Sequence, residues 1–552
     1  MPPDYCLQIS RVESPDGLEA PSTPEPETLH TRIGPPKFVL AHIGLVALLA
    51  TTGNVTVQAV YPNPTAPGDA GEYVLLHVEG NHSLEGYALG DGEDRMPLPG
   101  VNVSGPVLVT GGPPIPGLAT GRTLLRLEPF LELSNGGERV NLTVGNRTVD
   151  SLAYTSAPEA ERFDGRRWEP PGRSSFDPVS VGDVNTTVFA LPDSDAPVEN
   201  LLQAADRRLL LAGYTFVGEE YTDTLLDQHR RGVPVQVLLD AGPVGGITSP
   251  EVRSIDTLAA NGIRVRMLGG PRARYNFHHA KYLVVDDVAM ITSENWKPGG
   301  VGGHGSRGWA VVIRNETIAD YLARVFQVDS SWHDGRSWEQ VRPEQPQDET
   351  PDNATFPGRF EPLTVEADRA TVLLAPDNAA ASLENLLASA DRSIRIEQVS
   401  ISRDGVLFPA TVAAARRGVT VQILLSSAWY VERDNRQLAE RIRSTADREG
   451  LPISVRLVEP RSRFEHIHVK GVIVDGTHAV VGSINWNRNA LFENREVAVI
   501  IADPAVARFY TRLFRADWRG AAWRLPWAII GAMAGCVGLA ILIGSWTIEF
   551  TE

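Results

Sequence analysis

Hydrophobic and polar positions follow two different patterns along the chain. Between residues 54 and 156, short runs such as EYVLLHVEG, TLLRLEP and RVNLTVGN are separated by glycine, proline and asparagine, which predicts a β-sandwich. After residue 183, amphipathic segments at helical spacing alternate with short β-branched runs. This second pattern predicts α/β domains in which helices cover a mixed sheet.

The later part of the chain contains an internal repeat. ENLLQAADR (199–207) corresponds to ENLLASADR (384–392), and RRGVPVQVLLD (230–240) corresponds to RRGVTVQILLS (416–426). SRGWAVVI and NREVAVII correspond in the same order near the ends of the two halves. Because the segments keep their order at a nearly constant offset, the sequence predicts duplication of a whole fold.

Each half carries one His-x-Lys-xxxx-Asp motif at the equivalent place in the repeat. The motif residues are His279, Lys281 and Asp286 in the first half, and His468, Lys470 and Asp475 in the second. Residues two apart on a strand project from one face, so each His and Lys pair should point the same way. The aspartates end their strands, where they can brace the structure instead of touching a substrate.

A hairpin after each motif should bring further polar residues to the rim of the same site. These residues are Ser293 and Asn295 in TSENW, and Ser483 and Asn485 in GSINW. Two lysines and two asparagines can bind the non-bridging oxygens of a phosphodiester and the charge that develops on them. One imidazole can attack phosphorus while the other protonates the leaving oxygen. The sequence therefore predicts a phosphodiester-cleaving site with no cofactor and no metal.

The paired motifs, together with TSENW and GSINW, resemble those of the phospholipase D superfamily over residues 183–518. The resemblance implies a phosphohistidine intermediate. In related enzymes a carboxylate of one half often orients the histidine of the other, so Glu496 would brace His279, with His279 as nucleophile and His468 as general acid. The roles reverse if Glu496 contacts His468 instead. Gly308 is the counterpart of Glu496, so only one half should supply this carboxylate.

The predicted β-sandwich resembles a different known fold. EYVLLHVEG, LEGYALGDGED, ELSNGGERVNLTV and VDSLAY are similar to the lamin-tail-like domain, which has an immunoglobulin-like fold. No catalytic set of residues is visible there, and an adhesive or positional role is expected.

Charge and apolar segments bear on where the protein works. The net charge of −17 disfavours nucleic acid as a partner. Residues 526–548 form an uncharged apolar stretch long enough for a transmembrane helix, and 37–53 resembles a signal peptide or signal anchor. Eight Asn-x-Ser/Thr sequons favour an extracellular catalytic body. Arginines beside the apolar stretch argue for the opposite topology.

The sequence thus predicts a membrane-anchored phosphodiesterase or phosphatidyltransferase acting on phospholipid; a surface nuclease acting on DNA or RNA is the alternative. The order of segments is a disordered tail (1–36), the signal segment (37–53), the β-sandwich (54–156), a linker (157–183), phospholipase D repeat 1 (184–335), a linker (336–366), phospholipase D repeat 2 (367–519) and the transmembrane helix (526–548). Oligomeric state, head group and the choice between hydrolysis and transfer stay open.

Overall fold

The computed structural model describes residues 55–115, 118–119, 122–349, 353–403, 405–520 and 535–541. The predicted tail (1–36) and signal segment (37–53) lie outside these residues. Of the predicted transmembrane stretch, only 535–541 is described, and it is helical. Among the described residues, no helix combines the length and the apolar character that crossing a bilayer requires.

The N-terminal part is built from two sheets. Its strands are β1 (Val55–Tyr61), β2 (Tyr73–Ser83), β3 (Tyr87–Gly90), β4 (Arg95–Pro97), β5 (Asn102–Thr110), β6 (Thr123–Arg126), β7 (Glu138–Val144), β8 (Arg147–Tyr154), β9 (Arg162–Phe163) and β10 (Trp168–Glu169), with a 3₁₀ turn at Pro67–Asp69. One sheet has the order β10-β9-β1-β2-β5-β6 and the other β4-β3-β7-β8. Buried residues of both sheets, among them Leu76 and Leu142, share one core.

The segment predicted as a linker (157–183) is part of the folded structure. Its strands β9 and β10 extend the six-stranded sheet through the pairing of Phe163 with Val60. Arg173 then connects this part to both halves of the repeat: it donates to the carbonyl of Arg274 at 2.8 Å and pairs with Glu493 at 2.7 Å. The proline and arginine content of this segment suggested a linker. Its folded structure depends on buried ion pairs of arginine, and these leave no hydrophobic pattern in the sequence.

The duplicated part contains the remaining elements. The first half comprises β11 (Val179–Leu191), α1 (Ala196–Gln203), β12 (Leu209–Ala212), α2 (Glu219–Arg230), β13 (Val235–Asp240), α3 (Ser249–Ala260), β14 (Arg264–Leu268), β15 (Tyr282–Val285), β16 (Val288–Thr292), β17 (Gly308–Arg314), α4 (Glu316–Ser331), β18 (Gly335–Ser337) and α5 (Trp338–Val341). The second half comprises β19 (Leu363–Ala375), α6 (Ala379–Ala388), β20 (Ser393–Gln398), α7 (Leu407–Arg416), β21 (Thr420–Leu425), α8 (Glu432–Glu449), β22 (Ile453–Leu457), β23 (Lys470–Val474), β24 (His478–Gly482), α9 (Arg488–Phe492), β25 (Glu496–Ala502) and α10 (Pro504–Arg519).

All the strands of the two halves form one sheet. Its order, β18-β14-β13-β12-β15-β16-β17-β11-β19-β25-β24-β23-β20-β21-β22, places the long strands β11 and β19 side by side at the centre. They pair antiparallel from Val179 with Val372 to Val188 with Leu363. Both strands start a few residues before the predicted repeat boundaries at 184 and 367. The prediction placed the boundaries too late because the first apolar residues of each strand alternate with polar ones and form no apolar run.

The helices cover both faces of this sheet. On one face, α4 and α10 pack into a single core to which both halves contribute. On the other face, α1–α3 and α6–α8 build two separate cores, one for each half. The predicted duplicated α/β architecture is confirmed, and the shared core makes the two halves one structural unit.

Candidate active site

Each motif histidine is held by the backbone of the opposite half. The N–H of His279 donates to the carbonyl of Arg495 at 2.9 Å, and the N–H of His468 donates to the carbonyl of Arg307 at 2.9 Å. The two arginines directly precede β25 and β17. These two equivalent hydrogen bonds join the residues before β15 to the start of β25, and the residues before β23 to the start of β17. Both motifs therefore meet in one region.

Both imidazoles contact a carboxylate from the opposite half. Glu496 Oε2 lies 2.8 Å from His279 Nδ1, as the resemblance implied. Glu294 Oε2 lies 3.3 Å from His468 Nδ1. The expectation that only one half supplies a carboxylate is therefore wrong. It compared Glu496 with Gly308 alone, whereas the second carboxylate comes from the middle of TSENW.

The two motif lysines are buried at the same site. Lys281 Nζ donates to the carbonyl of His279 at 2.8 Å, and Lys470 Nζ donates to the carbonyl of His468 at 2.7 Å. Burial lowers the pKa of Lys281 well below its ordinary value and that of Lys470 to about 8, against the opposing effect of nearby glutamates. Two amines withdrawn from water form a binding site for an anion such as a phosphodiester, whose negative charge favours their ammonium forms.

The two motif imidazoles are neutral near pH 7. Their side chains are 12% and 17% exposed for His279 and His468. Burial, reinforced by the neighbouring lysines, lowers the pKa of His279 to about 4 and that of His468 to about 3, although the glutamates act in the opposite direction. A neutral imidazole has a free nitrogen lone pair, which a nucleophile at phosphorus requires.

Asp286 and Asp475 lie away from this chemistry. Each carboxylate accepts three backbone N–H groups at 2.7–3.0 Å, from residues 206–208 in the first half and 391–393 in the second. Both residues have a left-handed backbone, with φ of 52° and 54°. Six residues separate each aspartate from its histidine, about 20 Å along extended chain. They brace the turn before β12 or β20, so the last residue of the motif is structural.

The serines predicted at the rim are in fact buried. The Oγ of Ser293 accepts the N–H of Trp309 at 3.0 Å, and that of Ser483 accepts the N–H of Val497 at 3.0 Å. The hairpin turns their side chains inward, onto β17 and β25. Asn295 and Asn485 are partly exposed, and the Oδ1 of Asn295 has no hydrogen-bond partner in the described part of the chain.

Two aromatic or imidazole neighbours of the first motif were not predicted as parts of the site. The ring of Tyr214 packs edge-on against His279 at 4.8 Å between centroids, and Lys281 Nζ lies 5.3 Å from the same ring. His278 is buried, with Nδ1 3.1 Å from the carbonyl of Gly213. Tyr214 follows β12 in a part of the repeat without motif residues, and only the pairing of β12 with β15 brings it to the site.

We expect the basic limb of the pH profile to report the two motif lysines. Burial lowers the pKa of Lys470 to about 8 and that of Lys281 well below its ordinary value, so both ammonium groups lose their protons more easily than a free lysine. Phosphodiester binding and kcat/KM should therefore fall as the pH rises through about 8. The double variant Lys281→Arg/Lys470→Arg should remove this limb, because a guanidinium stays charged, while lowering kcat/KM throughout. Profiles of both proteins check this; an unchanged limb in the double variant would assign it to another group.

Comparison with known proteins gives a result that matches the repeat. Residues 198–330 and 383–518 match the family model described as "Cardiolipin synthase, PLD-like domain". No curated protein matches the sequence of the chain.

Three solved structures are similar to parts of the chain. Phosphatidylserine synthase of Haemophilus influenzae Rd KW20 has 12% identity and a TM-score of 0.46, over 60% of this chain and 86% of that one. The phospholipase D family member Nuc of Salmonella typhimurium has 22% identity and a TM-score of 0.24, over 29% and 98%. Polyphosphate kinase of Porphyromonas gingivalis has 12% identity and a TM-score of 0.40, over 60% and 50%. From the family match, each half of the repeat is similar to a phospholipase D-like domain.

Proposed function

We propose that this protein is a membrane-anchored phospholipase D-like enzyme that hydrolyses or exchanges the head group of a phospholipid. The observation that carries the proposal is the convergence of two imidazoles and two buried lysine amines, one of each from either half, with a carboxylate behind each imidazole. This set offers a nucleophile, an acid and an anion-binding site, which cleavage of a phosphodiester requires.

The reaction proceeds in two displacements. The Nε2 of His279 attacks phosphorus, a P–N bond forms, and the P–O bond to the leaving alcohol breaks as His468 gives that oxygen its proton. Water or a second alcohol then gives a proton to His468 and attacks phosphorus, and the P–N bond breaks. Bound phosphodiester adds negative charge between the two lysines, which favours the protonated form of His468 needed for the first step.

Exposed apolar residues near the mouth of the site support a lipid substrate. We call Val244, Trp429 and Tyr430 the apolar rim, which is distinct from the polar residues of the two motifs; the exposed fractions of these three residues are 79%, 89% and 49%. They lie on equivalent loops, the first after β13 and the others after β21. The N–H of Val244 donates to the hydroxyl of Tyr214, the residue that packs on His279, at 2.5 Å. Exposed Trp and Tyr side chains are favourable at the boundary between water and lipid.

A nuclease is the second candidate, since the same chemistry cleaves any accessible phosphodiester. The net charge of −17 weighs against it, because polyanion binding depends on cationic surface. The deciding assay incubates the purified full chain with phosphatidylcholine or phosphatidylglycerol vesicles, and with single- and double-stranded DNA, with and without chelator. Head-group release without DNA cleavage supports the lipid enzyme, and DNA cleavage alone refutes it. Complete loss of activity on chelation would contradict the histidine mechanism.

Trp429→Ser should separate interfacial binding from chemistry. Loss of an exposed indole that inserts into lipid should lower the rate on phosphatidylglycerol vesicles about tenfold, while cleavage of soluble bis(p-nitrophenyl) phosphate stays unchanged. Val101→Ser, at an exposed apolar residue of the N-terminal part, is the matched control and should change neither rate. Equal rates of wild type and Trp429→Ser on vesicles would remove the apolar rim from the argument for lipid.

A further inference from the structure

The repeat places a carboxylate at different sequence positions in its two halves. The pairing of β16 with β17 aligns Thr292 with Ala310, and the pairing of β24 with β25 aligns Gly482 with Ala498. By this register Glu294 is the counterpart of Ile484. Gly308 is, by the same register, the counterpart of Glu496. One half therefore has Glu then Gly where the other has Ile then Glu.

The two exchanged positions compete for the same space. A Cβ atom added to Gly308 would lie 2.3 Å from the Cγ and 2.3 Å from the Oε1 of Glu294. No side chain fits at position 308 while Glu294 keeps its place. The glycine is thus required by the glutamate beside it, since the backbone here needs no unusual torsion angle.

Equivalent neighbours hold both carboxylates. Ser306 Oγ donates to Glu294 Oε2 at 2.6 Å, and Asn494 Nδ2 donates to Glu496 Oε1 at 3.0 Å. Ser306 and Asn494 are counterparts, each two residues before the exchanged Gly308 or Glu496. The two carboxyl groups therefore occupy corresponding places although their backbones do not correspond.

Thr292 adds a contact that the second half lacks. Its Oγ1 accepts the N–H of Glu294 at 3.1 Å, whereas the counterpart of Thr292 is Gly482, which has no side chain. Glu294 is 1% exposed and its Oε2 faces His468. Burial raises the pKa of this carboxyl, but His468, Lys470 and Ser306 outweigh burial and lower the pKa to about 2, so the group is an anion.

We infer that Glu294 is the positioning residue of His468. It does for His468 what Glu496 does for His279, from a different position in the sequence. The glycine at position 308 leaves the space that the Glu294 side chain occupies. The inference concerns the site of the proposed function. It adds a residue that motif comparison assigns to neither half, and it gives His468 an anionic partner that can stabilise its protonated form as an acid.

The test moves the carboxylate back to the place it has in the second half. Glu294→Gln should lower kcat on bis(p-nitrophenyl) phosphate about 100-fold, because the amide keeps the size and loses the charge. Gly308→Glu alone should misfold or lose activity through the clash with Glu294. The triple variant Glu294→Ile/Ser306→Asn/Gly308→Glu copies Ile484, Asn494 and Glu496, and should recover activity to within about fivefold of wild type.

A second readout does not need turnover. Glu294, Lys470 and Lys281 are the charged groups that act on His468, and the glutamate alone raises its pKa. In histidine-labelled protein, with His468→Ala for assignment, Glu294→Gln should lower the titration midpoint of His468 and leave that of His279 unchanged. An unchanged midpoint, or unchanged kcat in Glu294→Gln, overturns the inference; so does a folded triple variant as inactive as Glu294→Ile. A wild type without phosphodiesterase activity would refute the proposed function, while the midpoint would still decide the role of Glu294.

Discussion

His279→Ala and His468→Ala should each lower kcat by a factor on the order of 10⁴ or more, because the nucleophile and the acid act in one site and neither can replace the other. The backbone N–H of each histidine donates a hydrogen bond to the opposite half, and its imidazole faces a glutamate from that half. Rates on bis(p-nitrophenyl) phosphate and on vesicles, with unfolding midpoints to confirm folding, check the expectation.

The double variant His279→Ala/His468→Ala sharpens this test. When two residues act together in one reaction, removing either one already abolishes their joint contribution to kcat. The double variant should therefore be about as inactive as either single variant. His77→Ala, in the N-terminal strand β2, is the matched control and should keep full activity. If either single variant kept more than about a tenth of the wild-type rate, the two motifs would not form one catalytic site.

Arg495→Met should produce the largest loss of stability. The guanidinium is fully buried and pairs with Asp329 at 2.9 Å and Asp377 at 2.9 Å, one carboxylate from each half. Removing it takes away the cation that pairs with both of these buried carboxylates, which costs about 3–5 kcal/mol. Urea unfolding of the full chain, followed by far-UV circular dichroism, should show the lower midpoint.

Two controls separate lost charge from lost packing. Arg230→Met, at an exposed ion pair on α2, should change the free energy of unfolding by no more than about 0.5 kcal/mol. Arg495→Met combined with Asp329→Asn and Asp377→Asn should recover part of the loss, since the two carboxylates that Arg495 neutralised are then replaced by uncharged amides. Equal midpoints for Arg495→Met and wild type would show that the cluster contributes little to stability.

The sequence was most informative where the repeat and the hydrophobic pattern agreed. The two His-x-Lys strands lie in runs of apolar residues and recur at one offset, so their place in an α/β sheet could be predicted. The start of β11 at Val179 could not be predicted, because its exposed residues interrupt the apolar pattern. Strands β9 and β10 were missed for a similar reason: each has two residues, and buried arginines stabilise their surroundings.

Within the site, predictions failed where tertiary contacts decide a side chain's direction. Ser293 and Ser483 belong to a recognisable motif, yet the hairpin turns them onto the adjacent strand. Glu294 could not be predicted because alignment of the two halves of the repeat pairs it with Ile484, an apolar residue. The close approach of Glu294 to Gly308 becomes visible only when both strands are placed in the sheet.

The seam between β11 and β19 gives the molecule an approximate symmetry that its side chains do not obey. In two identical subunits, any substitution near one imidazole would be repeated at the other, and a substrate could enter in either of two equivalent directions. Joining both halves in one polypeptide removes that constraint. Tyr214 and the Glu294–Gly308 pair occur on one side only, so under the proposed function the two sides of a bound diester would meet different side chains, and its direction of entry would decide which alcohol departs first.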